Sequence, residues 1–194
     1  MNEPPVSLNE LFRQARAGDE RALGQLCEQH RPYLKLLAQR SLDSQIGVRA
    51  DASDLVQQTL LSAIRNFKNF EGEHSAQFVA WLQVIHERNV VDTIRAHTAD
   101  KRAVNREGPI VDDRNQINPQ TDSPSARAMR SEEAVRLAQA METLPADQRE
   151  ADRLRHLEGW PISRIAASLA RSEEASAGLI KRGMEKLRKK FQKL

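Results

Sequence analysis

The side chains spaced for chemistry in this 194-residue chain are suited to gripping a polymer rather than to breaking bonds. Within the last fifteen residues, Lys181, Arg182, Lys186, Arg188, Lys189, Lys190 and Lys193 stand against a single acid, Glu185. Such a run fits the phosphates of a polyanion; a solvated helix end complementing its own dipole gives the same pattern. The histidines His30, His74, His86, His97 and His156 are scattered, with no His-Glu-x-x-His spacing. There is no Gly-rich phosphate loop and no Gly-x-Ser-x-Gly elbow, so no enzyme is expected. Cys27 is the one cysteine, which excludes an intramolecular disulfide and a cysteine-based zinc site. Its place between Leu26 and Glu28 in a helical pattern predicts a small buried apolar group. No cofactor or metal is expected.

These residues must be positioned by helices. The hydrophobic fraction is 39% but aromatics make up only 4%, a composition that favours helix over sheet. Over residues 7–100 the apolar positions repeat with helical spacing. Leu23, Leu26, Leu34 and Leu37 form a stripe interrupted by Pro32, and Val56, Leu60, Ala63 and Phe67 step by four, three and four. Phe78, Leu82 and Ile85 repeat the pattern one segment later. Asp51 is an N-cap candidate with Asp54 in the first turn, and Gly72 marks a loop between two helices.

Residues 101–130 are different in kind. The stretch 112–124 holds one apolar residue, Ile117, too little to offset its chain entropy, which predicts a flexible linker. Beyond it helices return: one ends near Leu144-Pro145, one spans about 147–157 and stops at Glu158-Gly159, and one begins near Pro161. The last starts after Ser172, an N-cap candidate by residue type, and its stripe reads Ile180, Met184, Leu187 and Phe191. The expectation is an all-α protein of two small helical domains, 1–100 and 131–194. No apolar run approaches the roughly 20 residues that span a bilayer. The start, MNEPPVSLNE, lacks the features of a signal peptide, so no membrane insertion and a cytoplasmic location are expected.

Two short helices with a tight turn, the second ending in cations, make a helix-turn-helix, although a hairpin in an ordinary bundle looks similar. In a helix-turn-helix the first helix, about 161–169, braces the second in the major groove. Residues at the start of the second reach base edges, while Lys181 and Arg182 lie farther along for phosphates.

The segment from Asp51 to Phe70, DASDLVQQTLLSAIRNFKNF, resembles the most recognisable stretch of the sigma-70 superfamily, in its small extracytoplasmic-function (ECF) group. Ala15–Leu23, Arg31–Leu34 and Phe78–Leu82 leading to Arg88, Asn89 and Asp92 fit the same group. So do Leu144–Glu150, Arg153–Gly159 and Ala177–Gly183 with Leu187 and Arg188. The resemblance covers nearly all of the chain except the linker, in the expected order. It implies a sigma-2 domain that binds the β′ clamp helices of core RNA polymerase and the promoter −10 element. A sigma-4 domain would bind the β flap and the −35 element. An anti-sigma factor is a further partner by analogy. The competing reading, a helix-turn-helix regulator acting without polymerase docking, leaves the Asp51–Phe70 segment unexplained.

The resemblance also distributes roles. Asp51, Asp54, Leu55, Gln57, Gln58 and Thr59 match the clamp-binding motif, with Gln58 where many members have Glu. The loop from Asn66 to His74 corresponds to one that receives a base flipped out of the −10 strand. Asn66, Lys68 and Asn69 would supply donors there, and Phe70 either a stacking surface or a core ring. Arg88, Asp92 and Arg95 at i, i+4 and i+7 form one polar stripe beside Asn89, suited to −10 contacts. Trp81 reads as core. For the −35 element the matching positions are Arg171, Ser172, Glu173, Glu174, Ala177, Lys181 and Arg182. Ala177 and Leu179 stand where the family is often basic or polar, and Ser176 replaces a usual aliphatic, so −35 discrimination is expected to be modest or to rest on DNA shape.

Overall fold

The computed structural model describes residues 6–43, 51–104 and 124–191, with side chains described over 6–43, 51–96 and 131–191. Among these residues every regular element is helical, and the fold is all-α. Four helices lead: α1 (Leu8–Arg16), α2 (Glu20–Asp43), α3 (Ala52–Asn66) and α4 (Ser75–Val104). Four follow: α5 (Pro124–Glu142), α6 (Ala146–Asp152), α7 (Ile162–Ser168) and α8 (Glu173–Phe191). The chain divides into two compact units, Met1–Val135 and Arg136–Leu194. That division falls inside α5, a few residues beyond the expected start of the second domain. Residues 105–123, most of the expected linker, lie outside the described residues, while its flanks 101–104 and 124–130 belong to α4 and α5.

In the first unit each helix packs on its sequence neighbour, and short polar connections set the helix starts. Ser7 Oγ accepts from Glu10 N at 3.2 Å, and Asp19 Oδ1 accepts from Arg21 N at 2.8 Å and Ala22 N at 3.1 Å. Between them Gly18, at φ 96, takes the left-handed turn that separates α1 from α2. Leu26, Leu34, Ala63, Phe78 and Leu82 are wholly buried at the centre. Cys27 is buried as expected, and burial with the neighbouring Glu28 carboxylate pushes its thiol up to about 12.

Pro32 does not interrupt the second helix, contrary to the pattern-based expectation; α2 runs through it. The hydrogen bond a proline removes is the one to the carbonyl four residues back, here that of Glu28. Glu28 is exposed, so water can serve that carbonyl, and the Glu28–Arg31 ion pair at 2.6 Å spans the same turn.

The second unit packs its helices around a smaller core of Ala151, Leu154, Ile165 and Leu179. A π-helical turn, Arg153–Leu157, extends α6. It closes on Arg153, which pairs with Glu150 at 2.8 Å and Glu158 at 3.6 Å. Gly159 (φ 69) then reverses the chain into α7, where the Arg164 guanidinium lies 3.6 Å from the centre of the Trp160 ring. The most buried residues of α8 are Ser176, Leu179, Gly183 and Leu187; of the expected stripe Leu187 is among them, Ile180 is half-buried against the core and Met184 is half-buried. Phe191 is exposed. The reason is close approach: Asp152 of α6 lies so near the α8 backbone that a residue without a Cβ, Gly183, must face it.

Candidate nucleic-acid and protein interfaces

The start of α3 follows from Asp51, whose Oδ1 accepts from Ser53 N at 2.7 Å. The stripe Val56, Leu60, Ala63 and Phe67 is buried, which turns Asp54, Gln57 and Gln58 outward. Together with Leu61, Ser62 and Arg65 these line a shallow hollow along the outer face. Leu61 and Ile64 are 45% and 43% exposed, an aliphatic ridge beside the amides. Two members of the expected clamp-binding set are not on this face. Leu55 and Thr59 are core residues at 2% and 0% exposure, because they fall on the inward side of the helix, where Thr59 meets α4. They cannot touch a partner directly.

The loop after α3 is pinned from below. Phe70 is buried, stacked on Phe67 at 5.9 Å between ring centres and packed on Trp81 at 5.0 Å and Phe78 at 5.9 Å. The stacking role for Phe70 is therefore corrected: its ring faces are occupied by protein. Trp81 joins the same aromatic cluster, as expected of a core residue. Arg16 Nη1 donates to the Phe70 carbonyl at 2.6 Å, tying the loop to α1. Above that floor Lys68 and Asn69 are exposed, while Asn66, also exposed, uses its Nδ2 to close the end of α3 on Ser62 O at 2.8 Å.

On α4, Arg88, Asp92 and Arg95 do form one exposed stripe, with Asp92 and Arg95 at 4.0 Å. Asn89 does not join it. Its side chain turns into the bundle and Nδ2 donates to Thr59 Oγ1 at 3.2 Å. The same hydroxyl lies 3.1 Å from His86 Nδ1, and burial pushes the His86 imidazole down to about 4, so it is neutral at physiological pH.

In the second unit, Ser172 caps α8, its Oγ accepting from Ala175 N at 3.1 Å. Ala170 carries the turn from α7 at φ 50, a left-handed conformation unusual for a residue with a Cβ. Ser172, Glu173, Glu174, Lys181 and Arg182 are exposed and Ala177 is half-buried, while Leu179 is 9% exposed and belongs to the core. Arg171 is engaged in an ion pair with Asp147. The Arg182 guanidinium lies back over Gly178, where an added Cβ would meet Nη1 at 3.0 Å. The tight turn, the cap and the outward charges are those of a helix-turn-helix whose second helix is α8.

Residues 26–99 match the family described as Sigma-70 region 2, and residues 134–187 that described as Sigma-70, region 4. Over 173 residues the chain is 30% identical to the RNA polymerase sigma factor CarQ of Myxococcus xanthus, covering 89% of this chain and 91% of that protein. The chain belongs to the sigma-70 family. It is a sigma factor of the ECF group, which directs transcription initiation by RNA polymerase and is not an enzyme. The ECF RNA polymerase sigma factor BldN of Streptomyces coelicolor is 27% identical over 166 residues, which span 86% of this chain but 59% of BldN. Among solved structures, CnrH in complex with the cytosolic domain of CnrY aligns at 25% identity over 94% of this chain and 95% of that one, TM-score 0.34. RpoE in complex with the anti-sigma factor NepR from Bartonella quintana aligns at 24% over 87% and 96%, TM-score 0.33.

In this sigma factor the region 2 match takes in the outer face of α3, the pinned loop and the polar stripe of α4. The region 4 match takes in the helix-turn-helix. Two buried polar residues stand outside the motifs: His86, 1% exposed, and Asp152, 2% exposed against α8. His86 and Asn89, three apart on α4, could have been seen to share a face. Nothing in the sequence showed that the face points at Thr59.

Proposed function

We propose that the sigma factor docks on the β′ clamp helices of core polymerase through the outer face of α3, using Asp51, Asp54, Gln57 and Gln58 with the aliphatic ridge beside them. The exposed loop residues Asn66, Lys68 and Asn69 and the α4 stripe of Arg88, Asp92 and Arg95 then engage and open the −10 element. The second unit contacts the β flap and sets α8 at the −35 element with Arg171, Ser172, Glu173, Glu174, Ala177, Lys181 and Arg182. The observation that carries this reading is the two-sidedness of α3. One side is core; the other leaves Asp54, Gln57, Gln58, Leu61, Ile64 and Arg65 exposed on one helix, a mixed polar and aliphatic surface suited to a protein partner. Region 4 supports the DNA role by its exposed cations Lys181 and Arg182 and the basic run behind them. An anti-sigma factor as a further partner rests on the family resemblance alone. Among the described residues no helix is long and apolar enough to cross a membrane, and the site of action proposed is the cytoplasm, with the polymerase.

The test is reconstitution with purified core polymerase. A sigma factor confers promoter-specific initiation with no other factor present. An Asp54→Arg variant should lose core affinity at least tenfold while melting at the wild-type temperature. A chain that needs another sigma present is a helix-turn-helix regulator, and the docking role of α3 falls.

A further inference from the structure

Thr59 and Asn89, which the family motifs assign to two different surfaces, meet inside the bundle. The Thr59 hydroxyl has one proton and two lone pairs, and the structure uses all three. It donates to Leu55 O one turn back at 2.9 Å, and it accepts from Asn89 Nδ2 at 3.2 Å. That leaves one lone pair for His86, 3.1 Å away, so His86 carries its proton on Nδ1 and donates. Its Nε2 is then a bare acceptor, buried with no hydrogen-bond partner. The three residues are 0%, 1% and 9% exposed. Apolar side chains at all three positions together would avoid the desolvation cost these polar groups carry.

Apolar packing between α3 and α4 is non-directional and leaves the axial offset of two helices loosely specified. A threonine gripped by two donors from one helix has its bonds in a single register, which is the best-attested use of buried polar groups. Here register has a consequence, because the two helices carry different surfaces. Gln58, the residue before Thr59, faces outward on α3; Arg88, between His86 and Asn89, faces outward on α4. Resting on the functional reading above, we propose that His86 is a positioning residue which, with Asn89, grips Thr59 and sets the offset between the polymerase-facing side of α3 and the DNA-facing side of α4. The offset decides where a docked polymerase presents the α4 stripe along the opening strand.

The test uses full-length protein with core polymerase and a duplex promoter fragment selected by the wild-type holoenzyme from a randomised pool. Thr59→Val leaves two buried donors unpaired and lowers stability, so it is paired with Thr59→Val/His86→Leu/Asn89→Leu, which removes every member of the network at once. Removing all partners together is near neutral for stability. The expected result for the triple variant is wild-type melting and core affinity within about twofold, with open-complex formation, read by permanganate reactivity of unpaired thymines, slowed tenfold or more. Thr59→Ser, which keeps the hydroxyl, should open promoters at the wild-type rate. A stably folded triple variant that opens promoters normally overturns the positioning role. So does a parallel loss of core affinity and opening that tracks the unfolded fraction. Failure of the wild-type chain to bind core polymerase is a different outcome, and it removes the functional reading first.

Discussion

The carboxylate of Asp152 rests on the backbone of Gly183: a Cβ added to the glycine would lie 1.9 Å from Oδ2. Neither oxygen has a hydrogen-bond donor, and His156 Nε2 approaches Oδ1 only to 3.9 Å. Burial raises the Asp152 carboxyl from 3.8 to about 6. The folded state thus holds this proton more tightly than the unfolded state, so the contribution of Asp152 to stability is greatest in acid. It declines as pH climbs from about 4 through 6 and stays low above. Asp152→Asn should therefore stabilise the protein at pH 7.5, by up to about 3 kcal/mol, and by little at pH 4. Denaturant titrations of both proteins across that range check it; an equal difference at both ends would refute the assignment.

The same contact predicts a coupled pair. Gly183→Ala alone forces its methyl into the carboxylate and should cost about 1–3 kcal/mol. In an Asp152→Ala background that cost should largely vanish, a coupling that a double-mutant cycle in denaturant measures directly.

Ala170 holds φ 50 in the turn of the helix-turn-helix. Glycine relieves a left-handed strain of about 1–2 kcal/mol but adds freedom to the unfolded chain. Ala170→Gly should give a net stabilisation of about 0.5–1 kcal/mol, seen as a higher denaturation midpoint with unchanged slope.

Phe70 is a floor rather than a stacking surface. Phe70→Ala should cost about 3–5 kcal/mol of stability, whereas a ring reserved for DNA would cost almost nothing in the free protein. Gly72 tests the same geometry, since its Cβ would lie 2.1 Å from Phe70 Cζ. Gly72→Ala should lower the melting temperature and shift the near-ultraviolet signal of Trp81, which packs on that ring.

On α8, Lys181→Ala should weaken holoenzyme binding across promoter sequences and reduce the salt slope by about one unit. Arg171→Ala should change the slope less, because that guanidinium is shared with Asp147. An unchanged slope in the Lys181 variant removes it from the DNA interface.

Where the sequence and the structure part company, the cause is the same each time. A repeat of four, three and four identifies an apolar face, but the face of α8 could be read from Ile180 and Met184 or from Leu179 and Gly183. Large residues made the first reading attractive; the closeness of α6 selects the second. Pro32 looked like a break because its local cost is known, whereas the packing of Tyr33, Leu34 and Ala38 carries α2 through it. The same holds for the site. Asp54, Gln57, Gln58, Arg88, Asp92 and Arg95 are exposed as their spacing implies, but Leu55, Thr59 and Asn89, matched by motif to contact surfaces, are core, and of the two readings of Phe70 the core ring is the one observed.

By itself the sequence determined the helical class, the Asp51 and Ser172 caps, the helix-turn-helix and the membership of the sigma-70 family. All of these are written in residue types within a few turns of one another, where 3.6-residue periodicity and backbone capping act. The tertiary structure decided which polar residues face inward. Thr59 and Asn89 are thirty residues apart, Asp152 and Gly183 thirty-one, and no local pattern says that each pair will touch. A polar side chain can be buried when a donor or acceptor arrives from another helix, or when close packing holds it there at a cost, and both depend on how the helices cross.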